Sequence, residues 1–237
     1  MLARRVRSVW MVMAISGSFL GCATSTPVVQ MKFVDANDGS PISDAHVLFR
    51  AKAYRSNVFE NVDPTILFLT EGVTDAAGRI SFPAQRFWPY PYLFTNHGRP
   101  TMFVFKPGYE LTVVSSGPTF PNPEDLEKWD DNNAVIKMRA ATSDEEFYHA
   151  VWWSVWFAEE SYQSERDACL WKKIPGFLKA TNQAVANFGE KRLASMAHQE
   201  PLGPVTGPVQ KLISKEDFYV QQGCGSPRLF FESYVAP

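Results

Sequence analysis

Histidine and cysteine are scarce, with four and three in 237 residues. None of His46, His97, His149 or His198 stands in His-Glu-x-x-His or His-x-x-Glu spacing, which excludes a zinc-peptidase centre of that kind. A Gly-x-Ser-x-Gly nucleophile elbow is also missing, as is a glycine-rich phosphate loop. The chain therefore offers no catalytic residue, metal site or cofactor site by motif. Positive charge is in short supply, with 23 Lys and Arg against 25 Asp and Glu. Without a basic stripe, nucleic acid is not an expected partner. No apolar run approaches the roughly 20 residues that a bilayer-spanning helix needs.

The N-terminus does carry a signal. Arg4, Arg5 and Arg7 precede an apolar run from Val9 to Leu20, which stops at Gly21-Cys22 before a polar stretch. About twelve apolar residues after a basic start are the layout of a cleaved secretory signal peptide, here residues 1–21. Phe19-Leu-Gly-Cys22 resembles the lipobox of bacterial lipoproteins. The resemblance implies a diacylglycerol on the Cys22 thiol, which becomes the new N-terminus, with residues 22–27 as a lipidated tether. Several acyl chains anchor stably where a single one binds only marginally. Ala23 resembles the sorting position of lipoproteins sent to the outer membrane. The expected location is thus the cell envelope, lipid-anchored, at the outer membrane facing the periplasm.

Removing residues 1–21 takes away three of the 23 basic residues and none of the 25 acids, so the remaining chain has a formal charge of −5. Its 216 residues suffice for one large core or two small ones. If Cys22 is lipidated, Cys169 and Cys224 are left as one pair, which an oxidising compartment favours as a disulfide. In the chain-entropy account, a loop of this length is stabilised by about 4 kcal/mol.

Residues 28–139 read as short strands. Val29, Met31 and Phe33 alternate with Gln30 and Lys32, the period-2 pattern of a half-buried strand. A turn-rich stretch from Asp35 to Pro41 follows, and Ala45, Val47 and Phe49 restart the alternation. Thr74 to Gly78 forms a second turn before Ile80 and Phe82. Met102–Phe105, Leu111–Val114 and Ala134–Met138 continue the series, which points to an antiparallel sandwich. In order, Phe33-Val-Asp35, Gly39-Ser-Pro-Ile42, Ala45-His-Val47, Thr74-Asp75, Gly78-Arg-Ile-Ser-Phe82 and Gly108-Tyr109 resemble the carboxypeptidase regulatory-like domain, a transthyretin-like β-sandwich. The resemblance implies an accessory, non-catalytic module. Residues 51–70 and 84–101 read as long connections. The second holds Phe87-Trp88-Pro-Tyr90-Pro-Tyr92-Leu-Phe94, and Trp88, Tyr90 and Tyr92 are the candidate binding residues, with a lid packed on the sandwich as the other reading.

Residues 140–237 read as helical, so the expected class is α+β: an antiparallel transthyretin-like sandwich followed by a helical C-terminal region. Ser143-Asp-Glu-Glu146 is a capping box. Apolar residues then wrap most of the helix from Phe147 to Ala158, as in a helix buried on several sides. Trp152, Trp153 and Trp156 cannot all face one way. Glu159 and Glu160 return this helix to solvent. A second helix, opening at Pro175, carries Phe177, Leu178, Val185 and Phe188 and ends near Gly189. A short helix starts at Ser214, and a last apolar segment spans Leu229 to Val235.

Three further clusters test for chemistry. Glu146-x-x-His149 has the spacing of a di-iron helix, but such sites need a second pair and two more acids. Capping or solvation is the favoured role. The Asp35-to-Gly39 segment has its glycine in the wrong place for a calcium loop and reads as a turn. Glu124, Asp125, Glu127, Asp130 and Asp131 read as solvated loop acids. The expected function is a non-enzymatic binding or scaffolding module of the envelope. Glycan or peptidoglycan binding through loop 87–94 is the alternative, and a hydrolase assembled from scattered residues near Glu146 and His149 the third reading.

Overall fold

The computed structural model describes residues 24–25, 28–56, 61–87, 95–97, 100–115, 134–162, 168–188 and 206–235. In the first sheet, β2 (Val29–Asp35) lies between β5 (Arg79–Phe82) and β10 (Ala134–Met138). The alternation read from the sequence holds: Val29, Met31, Phe33, Ile80 and Phe82 are buried, while Gln30 and Arg79 face water. The pair β2–β5 is antiparallel, but β10 runs parallel to β2 with Ala134 opposite Met31 and Met138 opposite Asp35. The sandwich is thus antiparallel-rich with one parallel edge pair, possible because β2 and β10 lie far apart in the chain rather than being joined by a hairpin.

The second sheet has the order β4-β3-β8-β9, formed by β3 (His46–Ser56), β4 (Asn61–Val73), β8 (Thr101–Phe105) and β9 (Thr112–Ser115). A short strand β7 (Thr95–His97) pairs with the far end of β3. Residues 51–70 are therefore not a long connection. They belong mostly to a β3–β4 ribbon whose register shifts between Ala51 and Lys52 and again between Ala53 and Arg55. Such irregularities bend and twist a ribbon without ending it. Within residues 84–101, the short strand β6 (Arg86–Phe87) pairs antiparallel with β1 (Thr24–Ser25).

The second sheet is buried on both faces. Val47, Phe49, Ala51, Phe68, Met102, Val104 and Val114 meet the first sheet, whereas Leu48, Leu69, Phe103 and Phe105 join the helices. This explains why Met102–Phe105 is apolar without interruption, as strands covered on two sides are. The result is three layers: sheet, sheet and helices.

One turn shows how tightly the first sheet closes. Gly78 has φ +72°, and a Cβ there would stand 2.3 Å from the Phe33 carbonyl oxygen. Only glycine fits such a left-handed, crowded position. The Asp35-to-Gly39 segment is likewise a turn. Asp35 Oδ1 accepts the Asn37 N–H at 2.7 Å, and Asp38 Oδ1 accepts the Ser40 N–H at 2.8 Å.

The helical layer opens with α1 (Asp144–Tyr162). Ser143 Oγ accepts the Glu146 N–H at 3.2 Å, and the Glu146 carboxylate accepts the Thr142 N–H at 2.6 Å and its hydroxyl at 2.8 Å. The box therefore closes one residue earlier than the usual reciprocal pair. A 3-10 turn (Leu170–Lys173) leads into α2 (Pro175–Phe188), with Pro175 at its first position, where a missing N–H costs nothing. The N–H groups of Gly176 and Phe177 donate at 2.8 and 2.7 Å to the carboxylate of Glu71 on β4. The C-terminal segment forms α3 (Pro208–Ser214), α4 (Glu216–Gln221) and α5 (Pro227–Val235). The short helix expected from Ser214 is α4, which starts at Glu216, and it is preceded by α3, which opens on Pro208 and ends at Ser214. Cys169 and Cys224 form a disulfide across a separation of 55 residues. It joins the 3-10 turn to the α4–α5 connection beside the buried Trp171. No described helix is long and apolar enough to cross a membrane.

Candidate interaction surface

α1 packs Tyr148, Val151, Val155, Ala158 and Tyr162 into the helical core. Its three tryptophans divide as their spacing requires. Trp152 packs against the core, while Trp153 and Trp156 are 38% and 41% exposed. Large aromatic surface left in water on an otherwise buried helix is unusual enough to mark a candidate site.

The ridge is anchored from beneath. Phe103 of β8 stacks on Phe157 at 3.9 Å between centroids, and Phe157 lies nearly parallel to Trp153 at 5.6 Å. Three rings thus run from the sheet to the surface. Trp156 stands edge-to-face against both of the outer two, at 5.6 Å from Trp153 and 4.9 Å from Phe157. Both perpendicular and offset-parallel arrangements suit the ring quadrupole, and the two exposed indoles form a corner.

Beside the rings lies a charged cluster. Arg50 and Lys52 follow Leu48 at period 2 on β3, so both enter the helical layer, where they are 5% and 6% exposed. The Arg50 guanidinium sits 4.6 Å from the Phe103 ring centroid and donates to Ser161 Oγ and Glu160 Oε2, each at 2.6 Å. Lys52 Nζ donates to Glu160 Oε1. Burial, reinforced by the Arg50 charge, pulls the Lys52 ammonium below its ordinary value. Burial alone would raise the Glu160 carboxyl, but the Arg50 charge and the hydrogen bonds from Lys52 and Arg50 outweigh it and hold it low. Glu160 is therefore not simply returned to solvent, and neither is Glu159, whose Oε1 lies 2.5 Å from Lys211 Nζ. Trp153, Trp156 and Glu160 are spaced i, i+3 and i+7, one stripe of the helix.

Of the residues singled out from the sequence, Cys22, Trp88, Tyr90, Tyr92 and the acidic run 124–131 lie outside the described residues. Cys169 and Cys224 are brought together as a bond. Glu146 spends its carboxylate on Thr142, and the hydrogen bonds there hold its pKa below the ordinary value. Among the described residues, no group of three or more His, Cys, Asp or Glu is gathered as a metal site. The Arg50–Lys52–Glu160 cluster was missed. Its signal was two cations on the inward face of an apolar strand, which demand a buried partner.

No family model matches the chain, and no curated protein matches it. Among solved structures, the chain is similar to a Streptococcal ancillary pilin at 12% identity, over 49% of this chain and 30% of that one, with a TM-score of 0.24. It is similar to 3-chlorocatechol 1,2-dioxygenase from Rhodococcus opacus 1CP at 17% identity, over 51% and 61% of the two chains, with a TM-score of 0.29. The pilus 2b backbone protein of group B streptococcus aligns at 14% identity, over 49% and 42%, with a TM-score of 0.25. Likenesses this distant assign neither family nor activity. The chain is an α+β protein built on a β-sandwich with a helical layer.

Proposed function

We propose that this protein is a non-enzymatic envelope lipoprotein, anchored by lipid on Cys22, whose sandwich is of the carboxypeptidase regulatory-like type and whose helical layer presents a binding surface to another envelope component. The observation that carries the reading is the Trp153–Trp156 ridge, exposed yet backed by a three-ring stack and a buried ion-pair cluster. Aromatic side chains already held in place lose little entropy on binding, which is why such anchors dominate interfaces. The disulfide supports an oxidising compartment, and the lipobox-like Phe19-Leu-Gly-Cys22 supports the anchor.

A photocrosslinking side chain at position 156 in intact membranes tests the surface, with position 135 on the opposite sheet as control. A discrete adduct at 156 alone is expected, and equal, diffuse labelling at both sites would refute the reading. For the anchor, the mass of the mature N-terminus decides: an unmodified Cys22, or cleavage elsewhere, removes it.

A second reading is binding of glycan or peptidoglycan. What favours it is the pair of half-exposed indoles in line with the fixed Glu160 carboxylate, because flat rings stack on sugar faces while a carboxylate accepts hydroxyls. Retention of the protein on purified sacculi, lost in Trp156→Ala, is its test. Retention unchanged in that variant would move the site away from α1.

A further inference from the structure

The outer face of the first sheet is positively charged on a chain that is acidic as a whole, with 25 acids against 23 bases. Burial alternates along its three strands, so Met31, Phe33, Ile80, Phe82 and Met138 turn into the sandwich. The opposite face shows Gln30 and Lys32 on β2, Arg79 and Ser81 on β5, and Val135 and Lys137 on β10. Among the described residues of these strands, that face has three cations and no acid. The register sets Lys32 directly opposite Arg79 on one side and Val135 on the other, with Lys137 two residues beyond Val135. At ordinary strand spacing and rise, Lys137 is then about 8 Å from Lys32. Like charges directly opposite destabilise a sheet. Arg79 has partial relief from Asp75, whose Oδ2 lies 3.3 Å from its Nε with both side chains well exposed, and Arg139, just past β10, is taken by Glu110. Neither Lys32 nor Lys137 has an ion pair among the described residues. Lysine on an edge strand guards against pairing with another chain, which accounts for Lys137. It does not account for Lys32, which lies on the central strand.

We infer that this face is a docking surface for the anionic headgroups of a phospholipid bilayer. The inference rests on the envelope-lipoprotein reading for the presence of a bilayer, while the geometry of the face is independent of the anchor. Phosphate oxygens among Lys32, Arg79 and Lys137 supply the negative charge that the sheet itself lacks, and so relieve the repulsion across β2 and β5. Val28 and Val135, 44% and 51% exposed, stand beside these cations. Apolar side chains next to Lys and Arg suit the boundary between headgroups and acyl chains, where apolar burial and attraction to anionic lipid act together. An acidic protein would have to match its carboxylates to one fixed spacing, whereas mobile headgroups adjust to all three positions. With this face on the bilayer, the helical layer lies on the far side of the second sheet. The Trp153–Trp156 ridge is thereby left open to a partner.

The test uses the full, lipidated protein on vesicles containing a headgroup-quencher lipid, either neutral (phosphatidylcholine) or anionic (phosphatidylcholine with phosphatidylglycerol). A fluorescent non-canonical residue is placed at position 81 on this face or at 156 on the helical layer, both exposed. On anionic vesicles, quenching at 81 is expected to exceed that at 156 several-fold. It is expected to fall to the level of 156 on neutral vesicles, in the double variant Lys32→Glu, Lys137→Glu, and in the parent protein at about 0.5 M salt, which screens exposed charge. Lys32→Glu sets an acid opposite Arg79, so the urea midpoint is expected to hold or rise, which separates loss of contact from loss of fold. Equal quenching at 81 and 156 on anionic vesicles overturns the surface, as it would if the face served an acidic protein instead. A preference for 81 that survives the charge reversal, or is as strong on neutral vesicles, overturns it as well. So does loss of the preference on adding inorganic phosphate at constant ionic strength, the mark of a site for a free ion. The mass of the same sample separates this surface from the anchor. An unlipidated Cys22 with the preference for 81 intact overturns the anchor alone, lipidated protein with equal quenching overturns the surface alone, and an unlipidated Cys22 with equal quenching overturns both.

Discussion

Replacing Glu160 with alanine leaves Arg50 and Lys52, each about one-twentieth exposed, without the carboxylate that both contact. Removing one member of a fully buried pair typically costs 3–5 kcal/mol, because an uncompensated charge stays behind. The Glu160 side chain is 32% exposed, so water will reach part of the cluster, and Arg50 keeps its bond to Ser161 and its place over Phe103. The expected loss is therefore smaller, about 2–3 kcal/mol. For a chain of this size that corresponds to a fall of roughly 5–10 °C in Tm, read by urea titration and thermal melts. A second variant sharpens the reasoning. Adding Lys52→Met to Glu160→Ala removes one stranded cation, so the double variant is expected to be less destabilised than the sum of the singles by about 1 kcal/mol or more. The sign with pH also follows. The folded Glu160 pKa lies below its unfolded value, so its stabilisation is complete above the unfolded pKa and is lost as pH falls through the folded one. The alanine variant should show a flatter stability profile in that acid window. A loss under about 0.5 kcal/mol, the size of an ordinary surface change, together with strict additivity in the double variant, would refute the claim that this cluster is a buried electrostatic unit.

Three other perturbations follow from single contacts. Gly78→Ala forces a Cβ against the Phe33 carbonyl oxygen at positive φ and is expected to cost about 2–3 kcal/mol, whereas Gly39→Ala, with open space around it, should cost about 1 kcal/mol; urea midpoints compare them. Burial, with Lys106 and Lys179 acting in the same direction and Asp44 against it, lowers the His46 pKa. Its stabilising contribution is present above the unfolded value and lost as pH falls through the folded one, so His46→Gln should weaken the acid sensitivity of stability below about pH 6.5, and NMR titration of the ring reports the pKa directly. Glu71→Ala removes the acceptor for the first N–H groups of α2 and is expected to cost about 1–2 kcal/mol. Burial holds the Glu71 pKa above its ordinary value against those two hydrogen bonds, so the group favours the fold below its unfolded pKa and loses that advantage as pH rises through the folded one; a flat difference between parent and variant from pH 4 to 7 would contradict this.

Local pattern was the legible part of the sequence. The alternation in Val29–Phe33, the Ser143 cap, Pro175 at a helix start and the Cys169–Cys224 pair all depend on neighbours in the chain or on simple counting. What could not be read depends on partners far apart. Glu71 caps α2 from about a hundred residues away, and nothing near Ile174 advertises a missing cap. Residues 51–70 read as a connection, and charges such as those of Arg50 and Lys52 normally mark solvent. They remain in the sheet since Glu160, more than a hundred residues later, meets both. The parallel entry of β10 likewise follows from chain topology and leaves no trace in its own five residues. The tryptophans were half legible. Their spacing showed that they must diverge, but which of them faced water depended on where the sheet lay.

The boundary near residue 139 separates strands from helices, yet the shared core argues that it does not separate two folding units. Leu48, Leu69, Phe103 and Phe105 of the second sheet belong to the same apolar cluster as the helices, and each is at most 5% exposed. Burying such a side chain is worth about 1.5–3 kcal/mol, so uncovering four removes roughly 6–12 kcal/mol. That is comparable to the whole stability of a typical domain. The same cut strands Arg50 and Lys52 without Glu160 on a newly wet face, which spares their desolvation cost but leaves an apolar patch around them. A fragment ending at residue 139 is therefore expected to be aggregated or to bind a hydrophobic dye, and to show no cooperative unfolding, whereas the chain through residue 235 unfolds in one transition. A soluble, monomeric fragment with a sharp urea transition would mean that the first sheet and the inner face of the second suffice, and that the helical layer is a docked addition rather than half of one core.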